Sequence, residues 1–210
     1  MRTIWLRFSI LFLGIVFVWS PNTASAFDTD RFGSGFREQQ AGWIFVHIEG
    51  TPVERGMQYG FLMAPEINEF MTVLKIYLKE NTGKDWDFFR EAARSFMVDK
   101  LGQEYLEEIT GMVGGMRLQG MTVDILDIVA QNAFFELADY YLPSLEGESA
   151  TGKRWGRRIS PPLRCSAFIA TGPWTKDGKI VMGHNSWDDY ILGQRFNVIL
   201  DINPTTGYRV

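Results

Sequence analysis

The sequence predicts an α+β protein, because a long helical region lies between segments with the pattern of strands. Residues 42–50 read as a short strand, and residues 51–142 repeat apolar side chains on a helical period. Residues 165–210 return to strand-like apolar runs. With 46% hydrophobic and 22% charged residues among 210, the composition is that of a globular protein. A net charge of -4 gives no support to nucleic-acid binding, which needs a concentrated basic face.

The N-terminus has the pattern of a secretory signal. Arg2 and Arg7 precede an apolar run over residues 8–19, and the small residues Ala24 to Ala26 follow it. The run is short for a membrane span. We therefore expect residues 1–26 to be a cleaved signal peptide, the alternative being an uncleaved anchor. The mature protein would have no stable membrane span and would be secreted or periplasmic, or lysosome-like in a eukaryote.

The first helix has clear boundary signals. Thr51 can cap it, Pro52 suits the first helical position, and Glu54 can return a hydrogen bond to the cap. Pro65 is expected to kink or divide the helix. The apolar period stops at residues 81–83, where Gly83 can end a helix.

Two further helical stretches are predicted before a linker. The first covers residues 85–113 and is expected to break at Gly114 and Gly115. The second begins at Thr122, a possible cap, and continues to Tyr141. Residues 143–162 are rich in Pro, Gly, Ser and basic side chains, and we interpret them as a linker. The mature chain would thus have a mainly helical part, residues 27–164, and a sheet-forming part, residues 165–210.

The last part of the chain is predicted to form consecutive strands. The apolar run 165–175 leads to a turn around Asp177 and Gly178, and residues 180–187 return from it. A third strand is expected over residues 196–202 and the start of a fourth at Tyr208. Such a sheet would keep an unpaired edge and an uncovered face, so we expect further strands in a longer chain or in another chain.

The lone cysteine, Cys165, is the strongest candidate for chemistry. Exported proteins that use disulfides normally carry an even number of cysteines. Scission of the Arg164–Cys165 bond would give this residue a free α-amine with a reference pKa of about 7.7–8.0. That amine can act as a base, so the thiol would need no separate histidine.

Other interpretations of Cys165 are open at this level. A free cysteine is often buried and inert. A Cys/His pair with His184 or His47 is also possible, although the alternation around His47 favours a structural role. The sequence has no HExxH or CxxC motif and only two histidines, so no metal and no cofactor is predicted.

Two segments resemble known families. The run from Cys165 to Tyr190, with His184-Asn185-Ser186-Trp187, resembles the phospholipase B-like proteins. The upstream segment 50–60, which contains Gly-Thr-Pro, Glu-Arg-Gly and Gln-x-Gly, is similar to acyltransferases of the penicillin acyltransferase type, related to peptidase family C45.

This resemblance implies an N-terminal-nucleophile hydrolase with an αββα sandwich, which is made as a precursor and cleaves itself between Arg164 and Cys165. Cys165 would be the nucleophile, and His184, Asn185 and Trp187 would line or support the pocket. The substrate would be a small molecule or lipid carrying an acyl group on an amide or ester, and the cleaved fragments would stay associated. The oxyanion donors are expected beyond residue 210. The alternative is a non-catalytic exported binding module whose cysteine is buried.

Overall fold

A computed structural model describes residues 30–145, 165–186, 190–193 and 196–207, and its architecture is α+β as predicted. The predicted signal 1–26 and linker residues 146–162 lie outside the described residues. The strands are β1 (Arg31–Phe32), β2 (Gly35–Gln40), β3 (Trp43–Gly50), β4 (Cys165–Gly172), β5 (Gly178–Ser186) and β6 (Asn197–Pro204). The helices are α1 (Pro52–Leu62), α2 (Ala64–Thr82), α3 (Trp86–Phe96), α4 (Gln103–Leu118), α5 (Ile125–Asn132), α6 (Leu142–Leu145) and α7 (Tyr190–Gly193).

The described strands form two separate sheets. One has the order β1-β2-β3-β6, and the other is the antiparallel hairpin β4-β5. The third predicted strand, β6, therefore does not extend the hairpin as expected from sequence order. It pairs in parallel with β3 instead, with Val46 opposite Leu200. Strands that follow each other in sequence usually pair with each other. Here β3 and β6 pair in parallel although more than a hundred residues connect them, and a parallel pair always needs such a crossover connection.

Strand β3 places its two sets of side chains on opposite faces of the four-stranded sheet. Ile44, Val46 and Ile48 are buried against the helical layer, where they join Leu62, Met71 and Met116 in one core cluster. The alternate residues lie on the other face, where Trp43 keeps 48% of its surface exposed. Successive side chains of a strand point to opposite faces, so the helices fix which side of this sheet is buried.

The first helix begins as its sequence predicts. The Thr51 side chain accepts a hydrogen bond from the Glu54 backbone, and the Glu54 carboxylate accepts one from the Thr51 backbone at 2.8 Å. This reciprocal capping box satisfies donors that a helix start leaves unpaired. Pro65 divides the helical region as predicted, because α1 ends at Leu62 and α2 begins at Ala64. Helix α2 ends at Gly83, whose φ of 71° is the left-handed conformation that glycine adopts without strain.

The sequence predicted one uninterrupted helix over residues 85–113 that ends at Gly114 and Gly115. Both the continuity of this helix and its end are wrong. The helix is interrupted at Leu101 and Gly102, which are extended and separate α3 and a short 3-10 turn from α4. Helix α4 then continues through Gly114 and Gly115 to Leu118. Tertiary packing explains the continuity, because α4 needs small residues where it meets α1.

Helices α1 and α4 approach closely enough for their backbones to touch. A Cβ added at Gly56 or Gly60 would overlap the carbonyl oxygen of Glu108 or Met112 on α4. A Cβ at Gly111 or Gly115 would likewise overlap the carbonyl oxygen of Val53 or Met57 on α1. Each helix therefore contributes two glycines four residues apart, on one face, to the same contact. The absence of side chains at these four positions is what permits the approach.

The third helical stretch begins later than predicted. Asp124, not Thr122, caps α5, because its carboxylate accepts hydrogen bonds from the backbone of Leu126 and Asp127. The Asp127 carboxylate in turn accepts a hydrogen bond from the Asp124 backbone N–H at 3.0 Å. The helical path continues through a π-helical turn, Glu136–Tyr141, and into α6, so the predicted linker begins inside a helix.

Two arginines, the buried Arg37 and the partly buried Arg90, join elements of the fold through paired charges. Arg37 of β2 donates to the Leu62 carbonyl at 2.7 Å and to the Glu66 carboxylate at 2.7 Å. Arg90 of α3 contacts both carboxylate oxygens of Asp124, at 3.0 and 2.7 Å. Hydrogen bonds from Arg90 lower the pKa of Asp124, so this carboxylate stays ionised in mildly acidic solution.

The helix contact predicts opposite effects of alanine at two adjacent glycines of α4. At Gly115 the new methyl group would meet the Met57 backbone, which cannot yield, so Gly115→Ala should lower the free energy of unfolding by roughly 2 kcal/mol or more. At Gly114 the nearest atom is the flexible Met57 Cε at 3.2 Å. Gly114→Ala should therefore be neutral or stabilise by up to about 1 kcal/mol through helix propensity. Urea unfolding of both variants measures this, and equal effects would contradict the packing.

The paired Asp124 predicts a pH dependence of stability. The pKa of this carboxyl group is lowered in the folded state. Its contribution to the free energy of unfolding is therefore fully present above the unfolded-state pKa of about 3.9 and is lost as the pH falls through the folded-state pKa. Asp124→Asn should flatten the fall in urea midpoint as the pH is lowered below about 4. Asp99→Asn, a change at an exposed carboxylate between α3 and α4, is the control and should keep the slope of the unsubstituted protein.

Candidate functional site

Cys165 is the first residue of β4, and its side chain is exposed. It lies opposite Ser186 of β5 in the antiparallel register. Ser166 and Ala167, the next residues of the strand, are small, so the backbone around the thiol is open to approach. Within the described hairpin, the sequence therefore presents its one thiol at a strand end and in contact with solvent.

His184 shares a face of the hairpin with Cys165. It lies opposite Ala167, which is two residues along β4 from Cys165, so the thiol and the imidazole are diagonal neighbours. Diagonal positions in an antiparallel pair are roughly 7–8 Å apart. No hydrogen bond joins the two side chains in the described residues, and both are exposed. Cys165 and His184 therefore do not form a hydrogen-bonded Cys/His pair in the described hairpin.

The other predicted site residues are placed differently. Asn185 lies opposite Ser166, on the face of the hairpin that does not carry Cys165. In this geometry Asn185 can reach a site at Cys165 only around the strand edge. Trp187 and Arg164 lie outside the described residues. The structure thus brings Cys165 and His184 to one face and leaves Asn185 on the other.

Both faces of the hairpin carry exposed apolar side chains. Ile169 and Met182 face each other on the side of Cys165, and Phe168 and Val181 project on the other side. Trp174, at the turn, is 86% exposed. An isolated two-stranded hairpin is marginally stable in water, and strands apolar on both faces are typical of the interior of a layered fold.

The glycine-rich segment 50–60 has a structural role in the helical layer. Gly56 and Gly60 form the contact with α4, and Glu54 belongs to the capping box. Arg55 is buried, and it donates to the Gly50 carbonyl at 3.0 Å and to the carboxylates of Glu104 and Glu108 at 3.0 and 2.9 Å.

The Gln58 side chain hydrogen-bonds the backbone near the end of β3. Its side-chain oxygen accepts from the Glu49 backbone N–H at 2.9 Å, and its nitrogen donates to the Glu49 carbonyl at 2.9 Å. It therefore pairs with both backbone groups of Glu49 as a neighbouring strand would. Packing and hydrogen bonding within this chain therefore explain the residues of segment 50–60 on which the resemblance to acyltransferases was based.

A polar row that sequence analysis missed crosses the second face of the four-stranded sheet. His47 Nδ1 lies 2.8 Å from Asp201 Oδ2, and its Nε2 lies 3.5 Å from Glu49. Asn203 donates to Glu49 at 3.2 Å, and this hydrogen bond, with those from His47 and Ser34, lowers the pKa of the Glu49 carboxyl. The two-residue spacing of polar side chains on each strand, His47 with Glu49 and Asp201 with Asn203, was visible in the sequence. Only the pairing of β3 with β6 places the two sets side by side.

An open cavity of about 500 Å³ lies beyond this row, where β3 and β6 end. Ser34, Gln58 and Asn203 contribute polar groups to it, and Phe32 and Met57 contribute apolar wall. Among the described residues, no group of three or more His, Cys, Asp or Glu side chains could hold a metal ion. None of the described helices is both long enough and apolar enough to cross a bilayer.

Comparison with known proteins gives a single distant relationship to report. The chain is 24% identical over 181 residues to an uncharacterized protein of Archaeoglobus fulgidus. The alignment covers 80% of this chain and 28% of that protein, so the chain spans about a quarter of the relative's length. No protein-family model matches the chain, and no solved structure matches it.

The exposure of Cys165 predicts that native protein reacts with a thiol reagent. One equivalent of a maleimide should be incorporated without denaturant, at a rate within about tenfold of the rate for unfolded protein, because an accessible thiol needs no opening of the fold. Mass spectrometry of the labelled protein measures this, with Cys165→Ala as the unlabelled control. Reaction only in denaturant would contradict the exposed position.

The pairing of Gln58 predicts a cost in stability from its removal. Gln58→Ala leaves the Glu49 backbone groups without their side-chain partner and should lower the free energy of unfolding by roughly 1–3 kcal/mol. Gln39→Ala, at an exposed position of β2, is the control and should change stability by less than about 0.5 kcal/mol. Equal urea midpoints for the two variants would show that Gln58 has no role in holding β3.

Proposed function

We propose that this chain is part of an exported N-terminal-nucleophile hydrolase in which scission of the Arg164–Cys165 bond makes Cys165 the catalytic residue. The observation that carries the proposal is the position of the single cysteine. It is exposed, it begins a strand, and small residues follow it. A nucleophile that uses its own α-amine must stand at such an accessible chain end.

The proposed maturation needs only the thiol and water. The Cys165 sulfur attacks the Arg164 carbonyl carbon, and the C–N bond breaks as the nitrogen takes up a proton, which leaves a thioester on the sulfur and a free α-amine on Cys165. Water then hydrolyses the thioester to the Arg164 carboxylate and the restored thiol. The two fragments would remain associated, since β3 and β6 are paired over eight residues across the cut.

The same thiol would then act on an acylated substrate. The α-amine, with a reference pKa of about 7.7–8.0, accepts the thiol proton near neutral pH. The thiolate attacks the acyl carbonyl of an amide or ester and forms a thioester, while the amine or alcohol leaves with a proton. Water releases the carboxylic acid and restores the thiol. His184, on the same face of the hairpin, would line the acyl site.

The proposal includes an αββα sandwich. The four-stranded sheet has helices on one face, and its other face carries the partly exposed Trp43 and Ile199. The β4-β5 hairpin is apolar on both faces, which suits strands lying between a sheet and a helical layer. A second sheet that includes this hairpin would cover both exposed apolar surfaces.

The alternative is a non-catalytic exported binding module with a buried structural cysteine. The place of Cys165 as the first residue of β4 favours the nucleophile over this alternative, because a nucleophile that uses its own α-amine must lie where a strand can begin at a new chain end. A conventional cysteine protease that uses His184 as base is a second alternative. Its catalytic pair would have to form from diagonal positions that share no hydrogen bond in the described residues.

Intact-mass measurement of the full-length protein tests the maturation. The proposal expects a fragment that begins at Cys165. Cys165→Ala should abolish the fragment, and Cys165→Ser should slow its appearance by at least about tenfold, because a hydroxyl is the weaker nucleophile. His184→Ala is the matched control and should mature normally. Turnover of an acyl amide or ester by protein whose Arg164–Cys165 bond is intact would overturn the mechanism, as would normal processing of Cys165→Ala.

A further inference from the structure

The chain leaves the helical layer and returns to it at one hydrophobic cluster. This cluster contains buried residues of α2, α3 and α5, among them Leu74 and Phe89, and we refer to it as the α2 cluster. Leu137 and Tyr141 of the π-helical turn pack in it before the chain departs, and Leu192 of α7 enters it on the return. A cut anywhere between Tyr141 and Leu192 therefore leaves an anchored residue on each side.

Leu192 is the anchor of the returning chain. It keeps 5% of its surface exposed, whereas its neighbour Ile191 keeps 45%. Helix α7 packs on α2, and its four residues are too few to form a stable helix by themselves. Burial of the Leu192 side chain in the α2 cluster therefore stabilises the position of α7.

Strand β6 is the second attachment of the same part of the chain. Val198, Leu200 and Ile202 pack against the other core cluster, which contains Val46 of β3. Among the described residues, none of β4 or β5 belongs to either core cluster. The apolar attachment of the C-terminal part to the helical layer is thus made by α7 and β6.

The apolar pattern of β6 does not by itself select one register on β3. Side chains of a strand alternate between the two faces of a sheet, so a shift by two residues keeps each one on its own face. After such a shift Val198, Leu200 and Ile202 would still face the helices. Another feature must therefore distinguish the observed register.

The polar row on the outer face makes this distinction. His47 lies opposite Asp201, with 2.8 Å between Nδ1 and Oδ2. Glu49 lies opposite Asn203, whose amide donates to it at 3.2 Å. A shift by two residues in one direction would place the carboxylates of Glu49 and Asp201 opposite each other, and a shift in the other direction would place Asp201 opposite the apolar Phe45. Like charges directly opposite each other destabilise a strand pair, so both alternatives are disfavoured.

We propose that the helical part of this chain is a docking surface for α7 and β6, which holds the two parts together after the chain is cut before Cys165. The α2 cluster receives Leu192, and the edge of β3 accepts β6 in the one register that joins His47 to Asp201. The strand that begins with Cys165 is then retained through the chain that follows it. The biological setting rests on the proposed function, whereas the docking does not depend on what cuts the chain.

An introduced cut tests the docking without self-cleavage. The full chain carries Cys165→Ala, a histidine tag at the start of the helical part, and a site for a sequence-specific protease in place of residues 151–157. It is cut on nickel resin, and a denaturing gel confirms that the cut is complete. We expect the C-terminal part to stay on the resin in native buffer and to be released in urea. Its release in native buffer would overturn the proposal.

The rate of release tests the role of Leu192. Leu192→Ala should release the C-terminal part at least about tenfold faster, because a buried apolar contact with the α2 cluster is lost. Ile191→Ala makes a similar change at the neighbouring exposed position, and it should keep the rate within about twofold. Equal rates for the two variants would overturn the role of Leu192 as the anchor.

A double-mutant cycle tests the polar row. His47→Ala and Asp201→Ala should each speed release several-fold, and the double variant should be little faster than either one, because both changes remove the same contact. A double variant whose rate equals the product of the two separate effects would overturn the role of this pair. Circular dichroism before the cut confirms that the variants compared are folded.

The docking and the hydrolase proposal can fail separately. The introduced cut reports the docking even if Cys165 never cleaves the chain. Separation of the two parts after that cut would overturn the docking alone, because self-cleavage is read from the intact mass of the unsubstituted protein.

Discussion

The close contact between α1 and α4 is the constraint on which the helical layer depends. Four glycines let the two backbones meet, and the contact sets where α1 lies relative to the end of β3. From there Gln58 can reach both backbone groups of Glu49, and Arg55 can reach carboxylates on α4. A larger side chain at any of the four positions would push the helices apart and pull these polar groups from their partners.

Charge pairs in this layer connect elements that are distant in sequence. Arg37 joins β2 to the start of α2, and Arg90 joins α3 to the cap of α5. Breaking the buried pair of Arg37 and Glu66 would leave an uncompensated charge, which costs far more than the pair itself contributes. The glycine and arginine pattern near the first helix is therefore explained by structure alone. It assigns no residue of this segment to chemistry.

The hairpin that carries Cys165 differs from the rest of the described protein. Its apolar side chains are exposed on both faces, whereas those of β3 are buried on one. The four-stranded sheet and the hairpin each have a surface that a second layer would cover. The proposed function and the sandwich thus rest on the same feature, a strand whose first residue is an exposed thiol and whose apolar faces need a partner.

Much of the local structure could be predicted from sequence because its causes are local. Thr51, Pro52 and Glu54 start a helix through contacts within one turn, Pro65 divides it by steric exclusion, and Gly83 ends it with a positive φ. The turn residues Asp177 and Gly178 placed the hairpin and set the register that puts His184 beside Cys165.

What only the tertiary structure decided depends on partners far along the chain. Gly114 and Gly115 read as helix breakers, yet α4 passes through them because α1 packs there. Strand β6 was expected beside the hairpin, yet it pairs with β3, which also creates the row of His47 and Asp201. Sequence by itself determined where helices and turns begin, because those interactions span a few residues. The faces of helices and strands that pack against each other are determined by the burial of apolar surface and by how closely two backbones can approach. Both depend on the complete folded chain.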